Sequence, residues 1–89
     1  MWYVYILQCK DGSFYTGVTT EVLRRFHEHA THIGGRYTRS HPVEKIVYIE
    51  TVASQSEALK REKQIKGWRR GKKINLIKFG KPTVYIAEL

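Results

Sequence analysis

Cysteine occurs once in this 89-residue chain, at Cys9. An internal disulfide and a zinc site built on cysteines are therefore excluded. Long apolar runs are missing too: the stretch 2–7 (WYVYIL) is far too short to cross a bilayer. It has neither the basic approach nor the small-residue cleavage site of a secretory signal. The expectation is a cytoplasmic protein with no membrane partner. No internal repeat, linker or low-complexity segment is present, and the length allows one domain with a modest core. A composition that is 42% hydrophobic and 27% charged excludes a disordered tail.

Acidic side chains are scarce. Eight Asp and Glu stand against sixteen Lys and Arg, a formal net charge of +8. Such an excess suits a polyanionic partner, most often nucleic acid, and suits a solubilising surface equally well. The distribution separates the two, because ten of the sixteen basic residues lie between Lys60 and Lys81. That concentration points to nucleic acid.

The chain opens with a strand, Trp2–Cys9, apolar on both faces and so expected at the centre of a sheet. Cys9 within it reads as buried and inert. Lys10-Asp11-Gly12 reverses the chain, with Gly12 suited to positive φ. A two-residue turn here would put Tyr5 and Tyr15 on opposite faces of the hairpin. A three-residue loop pairs Cys9 with Ser13, Leu7 with Tyr15 and Tyr5 with Gly17, which places both tyrosines on one face with Gly17 leaving space opposite Tyr5. We expect the odd-length loop. The second strand, Phe14–Val18, leads through Thr19-Thr20 into a helix opening at Glu21. On it Val22, Phe26, Ala30 and Ile33 form an apolar stripe, and Arg25 and His29 stand one turn apart beside it.

Gly34-Gly35 supplies a helix stop. The polar segment 35–42 follows, in which Arg36 and Arg39 suit phosphates and Tyr37 suits a base, although a solvated connector would look the same. Lys45–Val52 reads as a third strand. Ser54 and Glu57 form a capping box for a helix running to Lys66 or Trp68. A shorter helix over Lys72–Phe79 turns Ile74, Leu76 and Ile77 to the body, and Lys81-Pro82 ends it. The expected fold is α/β, a small three-stranded antiparallel sheet flanked by helices in the order β-β-α-β-α-α. Residues 1–80 form the domain and 81–89 a C-terminal tail.

Glu62 lies within the apolar arc defined by Ala58, Leu59 and Ile65. A carboxylate there is costly unless it is paired or metal-bound. A salt bridge to Arg25 or a lysine would satisfy it. So would one Mg²⁺ or Mn²⁺ ion, weakly held by a single carboxylate, with waters and a substrate phosphate completing its shell.

Tyr3-Val4-Tyr5, then Tyr15-Thr16-Gly17, then Arg25 and His29 together resemble the ordered signature of the GIY-YIG nuclease superfamily. More narrowly, they resemble its small stand-alone UPF0213 members. Tyr3 replaces the leading Gly of the first motif, and Thr16 replaces the Ile of the second. Arg36-Tyr37-Thr38 and the segment 57–62 extend the likeness over nearly the whole chain. The resemblance implies a metal-dependent endonuclease acting on DNA or RNA, DNA being the expected substrate. Glu62 matches the superfamily's metal-binding glutamate. Arg25 would meet charge on the phosphate, although an ion pair with Glu21 or Glu28 is its plain structural role. His29 would position water or shuttle a proton. One tyrosine, with Tyr5 preferred, would orient or deprotonate water, its pKa lowered by nearby cations. Tyr15 would then hydrogen-bond within the site. Lys63, Lys66, Arg69, Arg70, Lys72 and Lys73 would guide the backbone. Some superfamily members carry an Asn after the glutamate helix, for which Asn75 is the candidate here. Larger members often carry a targeting domain. This chain has no room for one, so low sequence specificity, recognition of a nucleic-acid structure or a protein partner would replace it. A non-catalytic nucleic-acid-binding module on the same scaffold is the principal alternative, and a protein-interaction domain is a third.

Overall fold

The computed structural model describes residues 1–31 and 41–80. Strands β1 (Trp2–Cys9), β2 (Phe14–Thr19) and β3 (Val43–Val52) and helices α1 (Val22–Ala30), α2 (Gln55–Lys66) and α3 (Arg70–Phe79) follow in the order β-β-α-β-α-α. All strand pairing is antiparallel, with β1 between β2 and β3. The double-faced apolar pattern of β1 has its explanation there. Val4 and Ile6 pack on one side with Tyr48, Ala58 and Ile65, joined by Leu76 and Ile77. Tyr5 and Leu7 pack on the other with Val22, Ile49 and Phe26. Helix α1 therefore covers one face of the sheet, and α2 and α3 the other. Cys9 is buried at the end of β1, and burial pushes its thiol up in pKa, away from reactivity.

The hairpin has the odd-length loop. Gly12 takes φ +87°, its N–H donates to the Cys9 carbonyl at 2.9 Å, and the Cys9 N–H donates to Ser13 at 2.8 Å. Asp11 steadies the turn by accepting from the Ser13 N–H at 2.9 Å and from its hydroxyl at 2.6 Å. Leu7 stands opposite Tyr15 and Tyr5 opposite Gly17, the register that puts both tyrosines on the α1 face. A register shift between Ile6 and Leu7 leaves Val47 without a partner on β1, so that Val47 and Tyr48, neighbours in sequence, both pack against the Val4 and Ile6 core.

The capping box opens α2 as expected. Ser54 Oγ accepts from the Glu57 N–H at 3.2 Å, while the Glu57 carboxylate reaches back one residue further, to the Ala53 N–H at 3.3 Å. Helix α3 starts two residues before the expected Lys72 and ends at Gly80. Lys81-Pro82 and the tail 81–89 lie outside the described residues. Two stripes differ from expectation. On α1, Ala30 is exposed and His29 takes the inward position one turn after Phe26, because steps of four and three follow the helical repeat more closely than two steps of four. Ile33 lies outside the described residues. On α2, Leu59 is 46% exposed while Ala58 and Ile65 are fully buried, which moves Glu62 from mid-arc to its margin.

Candidate active site

β1, β2 and α1 each bring one part of the site. From the hairpin come Tyr5 and Tyr15, ring centroids 6.4 Å apart. From α1 comes His29, fully buried, its Nε2 at 3.1 Å from Tyr5 Oη and its ring 4.9 Å from that of Tyr15. Gly17 makes the arrangement possible. A Cβ on it would lie 2.5 Å from Tyr5 Oη and 3.1 Å from a ring carbon of Tyr15, so the tyrosines occupy the volume of the missing side chain.

Arg25 lies close enough to Tyr5 for its charge to act on the phenol, and its guanidinium donates to Glu28 at 3.0 Å. The pair with Glu28 is the plain role anticipated for Arg25, and it lowers the Glu28 carboxyl below its usual range. Glu62 projects from α2, with its side chain 19% exposed and Lys66 Nζ 3.3 Å from Oε2. Its charge also bears on Tyr5. Side chains from β1, β2, α1 and α2 thus share one neighbourhood.

The electrostatics depart from expectation. Tyr5 is 2% exposed, and burial, reinforced by Tyr15, raises its pKa well above that of free tyrosine although Arg25 pulls the other way. Among this chain's own groups, removal from water outweighs the Arg25 guanidinium, so the expected depression of Tyr5 would have to come from a bound cation. His29 is held neutral: burial first, then Arg25, bring its pKa from 6.5 down to about 4. A fully buried, neutral imidazole does not suit a proton shuttle to solvent. Its geometry suits it to holding the tyrosines. Tyr15, half-buried, is the tyrosine nearer the surface.

The basic residues divide by what they touch. Lys66 stands 5.8 Å from the centroid of the Tyr15 ring as well as beside Glu62. Arg70 donates to the Gly12 carbonyl at 2.7 Å and lies over Phe14 at 4.6 Å, tying α3 to the hairpin loop. Lys72 lies over Trp68 at 4.4 Å, with Arg61 also near that ring at 5.2 Å. Lys63 is exposed and lines a shallow groove with Glu50, Val52 and Gln64. Arg69 is exposed and Lys73 half-buried. Arg36, Tyr37 and Arg39 lie outside the described residues, and Asn75 is exposed on α3. Sequence reasoning missed the Arg70 contact with the hairpin, for which a separation of 58 residues offers no local signal. The salt bridge anticipated between Glu62 and Arg25 or a lysine is made by Lys66, four residues further along the helix.

Residues 1–75 match the GIY-YIG catalytic domain. The chain belongs to the GIY-YIG family. Within that family it is similar to a UPF0213 protein of Desulfotalea psychrophila, 49% identical over 86% of this chain and 71% of the relative. It is also similar to one of Fusobacterium nucleatum, 41% identical over 99% and 86%. Among solved structures, the NMR structure of a UPF0213 protein from Bacillus halodurans is 45% identical, covers 92% of this chain and 89% of its own, and superposes with a TM-score of 0.57. A second NMR structure, from E. faecalis, is 42% identical over 85% and 81%, with a TM-score of 0.58. GIY-YIG nucleases act on nucleic acid and generally use divalent metal ions. Among the described residues no three His, Cys, Asp or Glu side chains gather into a cage. Among the described residues, the Glu62 carboxylate is partly exposed, and a hard cation held by one carboxylate would take its other oxygens from water and phosphate. No described helix is long and apolar enough to cross a membrane.

Proposed function

We propose that this GIY-YIG protein is a metal-dependent phosphodiesterase acting within nucleic-acid chains, on DNA more readily than on RNA. The observation that carries this reading is the meeting of Tyr5, Tyr15, Arg25, His29 and Glu62 across four separate elements. Glu62 would hold one Mg²⁺ or Mn²⁺ ion, which supplies positive charge to the scissile phosphate and leaving oxygen. The forked Arg25 guanidinium, partly released from Glu28, meets the charge that builds on the phosphate oxygens. Tyr15, the tyrosine nearer the surface, takes the place nearest the attacking water, where the sequence favoured Tyr5. Tyr5 and His29 act as positioning residues. Their mutual hydrogen bond and the ring contacts fix the Tyr15 ring, and Tyr5 as a neutral phenol keeps a second negative charge out of a site that must accept a phosphate. The basic residues of α2 and α3, Lys66 first, lead the backbone to that point. Cleavage in this reading has low sequence specificity, follows a structure in the substrate, or is directed by a protein partner.

The test is cleavage of labelled single-stranded, duplex and branched DNA, with RNA alongside, in the presence and absence of Mg²⁺ or Mn²⁺. Metal-dependent cutting that is lost in Glu62→Ala and Arg25→Ala supports the reading. Salt-sensitive binding without cutting, unchanged in Glu62→Ala, would make the protein a non-catalytic binding module.

A further inference from the structure

An ion pair at the mouth of the site joins the carboxylate assigned to metal to a flexible cation. Lys66 Nζ lies 3.3 Å from Glu62 Oε2, and the lysine side chain is 51% exposed where the glutamate is 19% exposed. The ammonium is thus the solvent-side cover of the carboxylate. The same ammonium stands 5.8 Å from the Tyr15 ring centroid. Glu at i and Lys at i+4 is the favoured orientation of a helical pair, so the contact forms readily in the free protein. A lysine is a compact charge on a long flexible stem and can exchange one oxygen partner for another.

We propose that Lys66 is a positioning residue that gates metal binding: it competes with a divalent cation for Glu62 and leaves that carboxylate for a substrate phosphate. The free protein then takes up metal poorly, and metal and nucleic acid favour each other's binding. This rests on the reading of Glu62 as the metal ligand.

The experiment is titration of the folded protein with Mn²⁺ alone, following the electron paramagnetic resonance of the free ion. Wild type is compared with Lys66→Met, Lys66→Arg, Lys63→Met and Glu62→Gln, folding being checked by circular dichroism. The Met variant keeps the stem and removes the charge. An exposed helical pair alone accounts for about a twofold effect, and repulsion between an ammonium and a nearby divalent ion adds to it. Lys66→Met is therefore expected to bind Mn²⁺ about three- to tenfold more tightly than wild type. Lys66→Arg should stay near wild type and Lys63→Met should change by less than about twofold, since Lys63 lines the groove with Glu50. Glu62→Gln should bind most weakly. If Lys66→Met binds no more tightly than wild type or Lys63→Met while Glu62→Gln loses binding, the gate is overturned and the metal assignment stands. If Glu62→Gln binds as wild type does, both fall.

Discussion

Acidification should destabilise this protein through one buried imidazole. His29 is fully buried against Tyr5, and its pKa in the folded chain is about 4 against an ordinary 6.5. On unfolding the ring returns to water and its ordinary value, so between these limits the unfolded chain binds the extra proton. Stability then rises with pH across that window, is fully present above about 6.5, and is lost as pH falls toward 4. At about 1.4 kcal/mol for each tenfold in proton affinity, the loss at pH 4.5 is about 2.5 kcal/mol. A domain of this size is stable by only about 4–13 kcal/mol, so the effect is large. Urea unfolding followed by the fluorescence of Trp2 and Trp68 at pH 7.0, 6.0, 5.0 and 4.5 measures it, with His29→Gln as the comparison. The exposed carboxylates, Asp11 among them, are common to both proteins and cancel in the difference. The wild type should lose about 2 kcal/mol more than the variant between pH 7.0 and 4.5. NMR of the His29 ring protons supplies the direct check, with no titration expected above about pH 5. Equal pH dependence in the two proteins, or a His29 that titrates near 6.5, would refute the argument.

Gly17→Ala places a methyl group 2.5 Å from Tyr5 Oη, so the tyrosines must shift. The expected cost is about 1–3 kcal/mol in urea unfolding, with reduced cleavage, and an unchanged midpoint would show that the site has slack. Tyr15→Phe should abolish cutting with little change in stability. Tyr5→Phe, which deprives His29 Nε2 of the Tyr5 hydroxyl, should lower stability by about 1–2 kcal/mol. The opposite pattern would return the surface role to Tyr5. Arg25→Lys keeps the charge but loses the fork, so cleavage should fall at least about tenfold while melting moves by no more than a few degrees. Cleavage at the wild-type rate would remove Arg25 from the chemistry. Ser54→Ala removes the α2 cap and should cost about 1 kcal/mol, checked by thermal melting with activity measured at a temperature where both proteins are folded.

The parts of the molecule legible in sequence are those governed by local rules. Strand β1 was recognisable as central because both of its faces are apolar, and α2 announced its start with Ser54 and Glu57. Gly12 marked the turn, but a two-residue loop would use the same glycine, and it is the three-residue loop that puts Tyr5 and Tyr15 on one face. The ordered tyrosine, arginine, histidine and glutamate residues marked the family, because their spacing follows the chain. Tertiary packing decided what those residues experience. Whether Ala30 or His29 turns inward depends on how α1 lies across the sheet, and that choice makes His29 a neutral buried ring. Burial depth separated the two tyrosines, since the desolvation of Tyr5 exceeds anything Arg25 returns to it. Lys66 beside the Tyr15 ring, and Arg70 on the hairpin loop, depend on how α2 and α3 sit against the hairpin. Local propensity and spacing reach a few residues along the chain. Desolvation and charge act through space, and only the folded sheet with its helices sets those distances.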